Sequence, residues 1–412
     1  MDTKNTSRYI EILPERCMND VNFSREYNCL IGTLAVLNAY FSISPHFTGK
    51  TIDVDHKLLT VVIGFFFLLF IMKSRFRISR ATGSALLLAA VSGIFVSFHA
   101  PASFEYYTKW ILFAVAILLY IICLCNTGQI KESTLKLVFI SSALPLVFYL
   151  LETFDESYYR HSRIGYKLML TFENENSAAM QLLLIGGIFF LYARRCMDQH
   201  KRLLTAACFI MIFADTYLIF LTKSRSSLLA VLFVLVFFIF DRFDFLINSK
   251  TVFIGIIFPL VFALIFVSLY RHGHHSIILL GRNLFNGREI MWNSVFEQPL
   301  LNLLFGSYHV YTRGTGKLPF QLHNGIVDMI ASYGIIITGW FLCLLNKVLK
   351  MIIRQGSKMS ILIVICLLSL MVQSCGEAAL LIGNRCNFIC MLFVFLNMDT
   401  PGAISRRKGK VV

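Results

Sequence analysis

Apolar runs separated by short polar segments dominate this chain, and inside the runs apolar residues are continuous rather than alternating. A membrane-spanning helix needs about 20 mostly apolar residues. The strands of a membrane barrel instead alternate apolar and polar positions. The pattern therefore predicts helices. Twelve runs qualify, near Asn28–Ser44, Leu58–Met72, Ala81–Phe98, Trp110–Cys125, Leu137–Leu151, Ala178–Ala193, Leu203–Thr222, Leu228–Phe240, Val252–Tyr270, Gly325–Leu345, Ser360–Ser374 and Cys386–Met398. The first is the most interrupted, by Asn38, Ser42 and Ser44. Polar residues precede it and no small-residue cleavage site follows, so no cleavable signal is expected.

Composition sharpens the class. Of 412 residues, 57% are hydrophobic and only 15% charged, and the mean hydropathy is +0.70. A soluble domain carries about 25% charged residues. An ordinary soluble enzyme, a disordered chain and a nucleic-acid-binding protein are thereby excluded, although the net charge is +15. The cations instead report topology. With the N-terminus in the cytoplasm, 24 of the 38 Lys and Arg residues fall on that side and 14 on the other, as the positive-inside rule asks.

The expected fold is an all-α polytopic membrane bundle of about twelve spans. It divides into a cytoplasmic tail 1–27, spans one to nine over 28–270, a large external loop 271–324, spans ten to twelve over 325–398 and a basic cytoplasmic tail 399–412. Ten or eleven spans result if the first or last run fails. Two external segments are long, Glu152–Ser177 and Arg271–Asn324. Apolar patches in the second argue for short amphipathic helices on the membrane surface. No internal repeat and no paired Gly/Pro-broken helices of the transporter kind are visible. Cys375 and Cys386 flank a short external loop and either pair or stay free.

Four segments carry candidate chemistry. Thr222–Ser227 forms a very short external turn in which Lys223 and Arg225 break the positive-inside pattern. Ser224 before an apolar run suits a helix N-cap. A helix N-terminus beside Arg225 would attract an anion, while an interfacial Arg also simply snorkels to headgroups. Asn286–Trp292 in the large loop sets Arg288 and Trp292 on a short helix. Arg288 can present a planar fork to phosphate, and Trp292 otherwise suits an interfacial position. His323 and Asn324 stand where the large loop re-enters the membrane. Histidine exchanges a proton near neutral pH, although a lone histidine is also a common structural residue. Asp328, five residues on, is poorly phased to share its helical face. Before the sixth span, Asn176 or Ser177 reads as an N-cap. His272, His274 and His275 have no further ligand cluster, so no metal is expected.

Taken jointly, Ser224-Arg225, Gly287-Arg288 with Trp292, Phe305-Gly306 and His323-Asn324 with Gly334 resemble the O-antigen polymerase and O-antigen ligase superfamily. The resemblance covers about residues 170–345. It implies an inner-membrane glycosyltransferase of lipopolysaccharide biosynthesis, with its site facing the periplasm and no cofactor. The implied donor is an undecaprenyl-diphosphate-linked glycan and the acceptor another such glycan or lipid A–core. Membrane lipid and a chain-length regulator protein are the other partners it implies. By this resemblance Arg225 and Arg288 bind the diphosphate, and His323 activates the acceptor hydroxyl. Lys223, Ser224, Asn324, Asn176 and Trp292 line the site. The ligase pattern resembles His-Asn, nine residues, then Gly-x-x-Gly, and Ile337 stands where its second glycine belongs. The Gly-Arg-x-x-x-Trp and Leu-Phe-Gly runs are more similar to polymerases. The expectation is therefore a polymerase, with a ligase and then a lipid-oligosaccharide flippase as alternatives.

Overall fold

The computed structural model describes residues 24–48, 130–162, 165–170, 175–240, 246–274, 278–279, 282–283, 287–306, 322–354 and 356–376, with single helical positions between 65 and 94. The described residues form α1 (Ser24–Thr48), α2 (Glu132–Glu152), β1 (Tyr159–Ser162), β2 (Gly165–Leu168), α3 (Glu175–Asp198), α4 (Arg202–Thr222) and α5 (Arg225–Ile239). There follow α6 (Ser249–Arg271), β3 (Ile278–Leu279), β4 (Arg282–Asn283), α7 (Arg288–Phe296), α8 (Leu300–Phe305), α9 (Gly325–Arg354) and α10 (Lys358–Gln373). Five of them, α2, α3, α4, α6 and α9, are long and apolar enough to cross a membrane, and α5 and α10 are shorter apolar helices. The runs starting at Leu58 and Ala81 contribute Phe65, Leu69, Met72, Leu87, Ala90, Val91 and Ile94, all helical. Those starting at Trp110 and Cys386 lie outside the described residues.

Burial sorts the helices as a membrane bundle requires. Ala178–Ala193 of α3 and Leu362–Met371 of α10 are buried without a break, so both helices run through the interior. A helix apolar all round belongs in such a place. On α4 and α6, Phe213, Phe220, Phe253, Ile254 and Ile265 are exposed, as lipid-facing residues are. Asn28, Asn38 and Ser42 of α1 are buried as well. Asn28 accepts hydrogen bonds from the Lys131 N–H and the Thr134 hydroxyl, both at 2.7 Å, and Gln181 donates to Ser42 at 3.3 Å. These bonds tie α1 to α2 and α3, which is what polar residues do between membrane helices.

The two ends of the bundle differ. At one end Glu132 of α2 pairs with Arg195 of α3, and Lys201 lies 3.9 Å from the same carboxylate. The segments 126–136 and 194–202, put on one side by their charges, thus meet. At the other end α5, α7, α9 and α10 converge.

Three local outcomes differ from the sequence expectation. The fold is not wholly α: in the segment after α2, β1 and β2 form an antiparallel hairpin with Tyr159 opposite Leu168. Aromatic and polar residues over only four positions suit a short ribbon better than a helical turn. Asn176 and Ser177 are not caps, because α3 already starts at Glu175, whose carboxylate receives Lys167 of β2 at 2.5 Å. An acidic residue is favourable in a helix's first turn. Finally, α9 is broken at Gly334, which has φ 82° and ψ 166°. A Cβ there would lie 2.2 Å from the Leu304 carbonyl oxygen, and one at Gly306 would lie 2.6 Å from that of Ser332. The Phe305-Gly306 and Gly334 motifs are thus two halves of one contact, in which the end of α8 presses backbone to backbone into the break.

Candidate functional site

Arg288 opens α7, and Ser226 lies in the first turn of α5. A Cβ built on Gly376, just past α10, would meet the Arg288 Nη1 at 3.3 Å and the Ser226 Oγ at 3.5 Å. The three groups therefore share one point, and a side chain at 376 would crowd it. Arg288 is half-buried there. Next to this point, Gln373 donates to the Ser227 hydroxyl at 2.8 Å, and Ser227 lies 3.1 Å from the Ser224 hydroxyl. Ser224, Ser227 and Gln373 are all buried, and Gln373 Oε1 has no hydrogen-bond partner.

Helix ends set the electrostatics. Neither Ser224 at the start of α5 nor Gly287 at the start of α7 caps its helix with a side chain. The N-terminal N–H groups and positive dipole ends of both helices lie close to Arg288. Together these features favour an anion. Arg225 is the first residue of α5 and is exposed. Lys223 ends α4 in the left-handed conformation, with φ 58°, which reverses the chain between α4 and α5.

His323 stands in a turn that is anchored on both sides. Before it, Trp292 donates its indole N–H to the Leu322 carbonyl at 2.6 Å. After it, Asn324 donates to the Pro259 carbonyl at 2.9 Å and accepts from the N–H groups of Ile326 and Val327, both at 3.1 Å. The Gly325 N–H reaches the Ser374 carbonyl at 3.0 Å. His323 itself has φ 50°. A non-glycine residue keeps that conformation only where its surroundings over-determine it, and here four elements do. The bond from Gly325 to Ser374 links the turn to the end of α10, which carries Gln373 and Gly376. Pro259 lies twelve residues before the end of α6, at Arg271, or about 18 Å along the helix axis. The turn is therefore recessed from that end.

The residues singled out in the sequence divide into three groups. Ser224 and Arg288 belong to the cluster at the end of α10, with Arg225 and Lys223 at the same turn as Ser224, and the turn carrying His323 is tied to that cluster through the Gly325–Ser374 bond. Trp292 and Asn324 frame the site. Trp292 is buried between Phe262 and Phe266, with ring centroids 6.3 and 6.0 Å away, and Asn324 is fully buried with both amide ends used in the bonds above. Asn176 belongs to the first turn of α3, beside the Glu175–Lys167 pair. His274 is exposed, and His309 and Cys386 lie outside the described residues. Among the described residues no group of three metal-ligating side chains occurs.

The structure adds residues that sequence reasoning passed over. Gln373 and Gly376 complete the cluster with Ser226 of the Thr222–Ser227 turn, and their only signal was their place at the end of an apolar run. Glu289 is buried with Oε2 unpartnered. Asp215 of α4 is 1% exposed with neither carboxylate oxygen partnered, and a Cβ at Gly186 of α3 would lie 2.4 Å from its Oδ2. A lone acid inside an apolar run was the signal available for it. No protein-family model, no curated protein and no solved structure matches the chain.

Proposed function

We propose that this chain is a glycosyltransferase of polyprenyl-diphosphate-linked glycans, and specifically an O-antigen polymerase of the bacterial inner membrane with its site facing the periplasm. The observation that carries the reading is the meeting of Arg288 with the uncapped starts of α5 and α7, linked through Ser374 to the anchored His323 turn. A recessed anion site in an apolar bundle suits a lipid whose head is a diphosphate. A histidine on a fixed turn nearby suits the activation of a hydroxyl.

In this mechanism Arg288 and Arg225 grip the diphosphate as planar forks. The N–H groups at the starts of α5 and α7 add fixed dipoles aimed at the same charge, which grows as the bond breaks. His323 takes the proton from the acceptor hydroxyl. The acceptor oxygen forms a bond to the anomeric carbon, and the bond from that carbon to the phosphate oxygen breaks. Undecaprenyl diphosphate leaves with the electron pair. Trp292 and Asn324 bear on catalysis through the pose of His323, because their bonds hold the residues on either side of it. The lipopolysaccharide of a strain deleted for this chain tests the reading. Core bearing a single repeat is the expected result. Bare core, with glycan retained on the carrier lipid, would make the chain a ligase, and an unchanged ladder would remove the chain from O-antigen assembly.

A further inference from the structure

We infer that Glu289 is a sugar-binding residue, accepting hydrogen bonds from hydroxyls of the glycan next to the diphosphate. The inference rests on the function proposed above and adds a specificity determinant to the same site. Glu289 is 5% exposed, and its Oε2 is buried with no hydrogen-bond partner. A buried acceptor of this kind is costly unless something donates to it.

Two donors on the same face as Glu289 are committed elsewhere. On the 100° wheel of α7, Glu289 falls between Trp292 and Asn293, on the face turned to α6. The Trp292 N–H is taken by Leu322, and the Arg271 Nε donates to Asn293 at 2.6 Å, with its guanidinium 3.7 Å from Glu297. Among the described residues no group of three metal-ligating side chains includes Glu289. The missing donor is therefore assigned to a ligand. Glu289 directly follows Arg288, sits in the first turn of the uncapped α7, and is one helical turn from the Trp292 that anchors the His323 turn. A group bound there lies beside whatever Arg288 holds. For a lipid diphosphate that group is its attached sugar, whose hydroxyls are neutral donors suited to a carboxylate.

Two probes on the purified full-length protein decide it: undecaprenyl diphosphate, and the same lipid diphosphate bearing N-acetylglucosamine. The wild type is expected to bind the sugar-bearing lipid more tightly. In Glu289→Ala and Glu289→Gln that preference should fall by about tenfold to a hundredfold, the worth of a charge-assisted hydrogen bond, while affinity for the bare lipid diphosphate stays unchanged. A preference retained in both variants, or absent from the wild type, overturns the assignment and leaves the diphosphate site standing. A wild type that binds neither lipid overturns the diphosphate reading, and the inference with it. If Glu289→Gln, which keeps the shape, loses both affinities together with thermal stability, Glu289 is structural and the inference fails.

Discussion

At the scale of single residues, chemistry and scaffolding divide along burial. Arg288 and His323 are half-buried and Arg225 exposed, whereas Trp292, Asn324 and Gln373 are sealed in and hold backbone or hydroxyl groups. The type of residue was legible in the sequence, but this division was not. Nothing in the spacing Gly287-Arg288-x-x-x-Trp292 tells a clamp from an interfacial anchor until α6 is set against it. If the arginines work as forks, Arg288→Lys and Arg225→Lys keep the charge but lose two-point geometry. Glycan output at matched expression is expected to drop about tenfold or more for each, and wild-type output from both would leave the arginines as headgroup anchors. Trp292→Phe keeps the ring contacts with Phe262 and Phe266 and removes the bond to Leu322. The stability cost should be about 1 kcal/mol, while turnover falls further than that loss explains, because the freed carbonyl precedes His323. Thermal unfolding and initial rates on the same preparation separate the two effects.

At the scale of elements, the helices follow the apolar runs closely, since burying a continuous apolar surface leaves the chain few other choices. The exceptions arise where tertiary contact overrules the run. One apolar stretch reads as a single helix from Gly325 onward, but the intrusion of α8 breaks it at Gly334. The hairpin of β1 and β2 is likewise set by pairing across a turn, which a hydropathy scan does not register. Gly334→Ala is expected to cost at least the roughly 1–3 kcal/mol of a forced backbone conformation, and more because Leu304 must move. Loss of folded protein in detergent, followed by fluorescence-detected size exclusion, is the readout. The contact between α3 and α4 makes a second case. Gly186→Ala drives a methyl into the Asp215 carboxylate and should destabilise the helix pair. Asp215→Ala removes the obstacle, so the double variant should be more stable than the sum of the single effects. Strict additivity of the two melting shifts would mean that the contact is slack.

At the scale of the whole molecule, the site lies at the end of the bundle opposite the Glu132–Arg195 pair. With that pair proposed to face the cytoplasm, a periplasmic reporter fused after Arg313 should be active and one fused after Lys358 silent. The reverse pattern would turn the site to the cytoplasm and remove a periplasmic lipid-linked donor from consideration. One further point is decisive: whether His323, on the turn tied through Ser374 to the Arg288 cluster, performs glycosyl transfer. The direct measurement is turnover of an undecaprenyl-diphosphate-linked repeat unit by purified protein, comparing the wild type with His323→Ala and with His274→Ala as an exposed control from the same loop. A general base contributes about 10²–10⁴-fold in rate. The account predicts a loss of that size for His323→Ala with unchanged melting temperature, and a rate near wild type for His274→Ala. Full turnover by His323→Ala, or equal losses in the two variants, would contradict it.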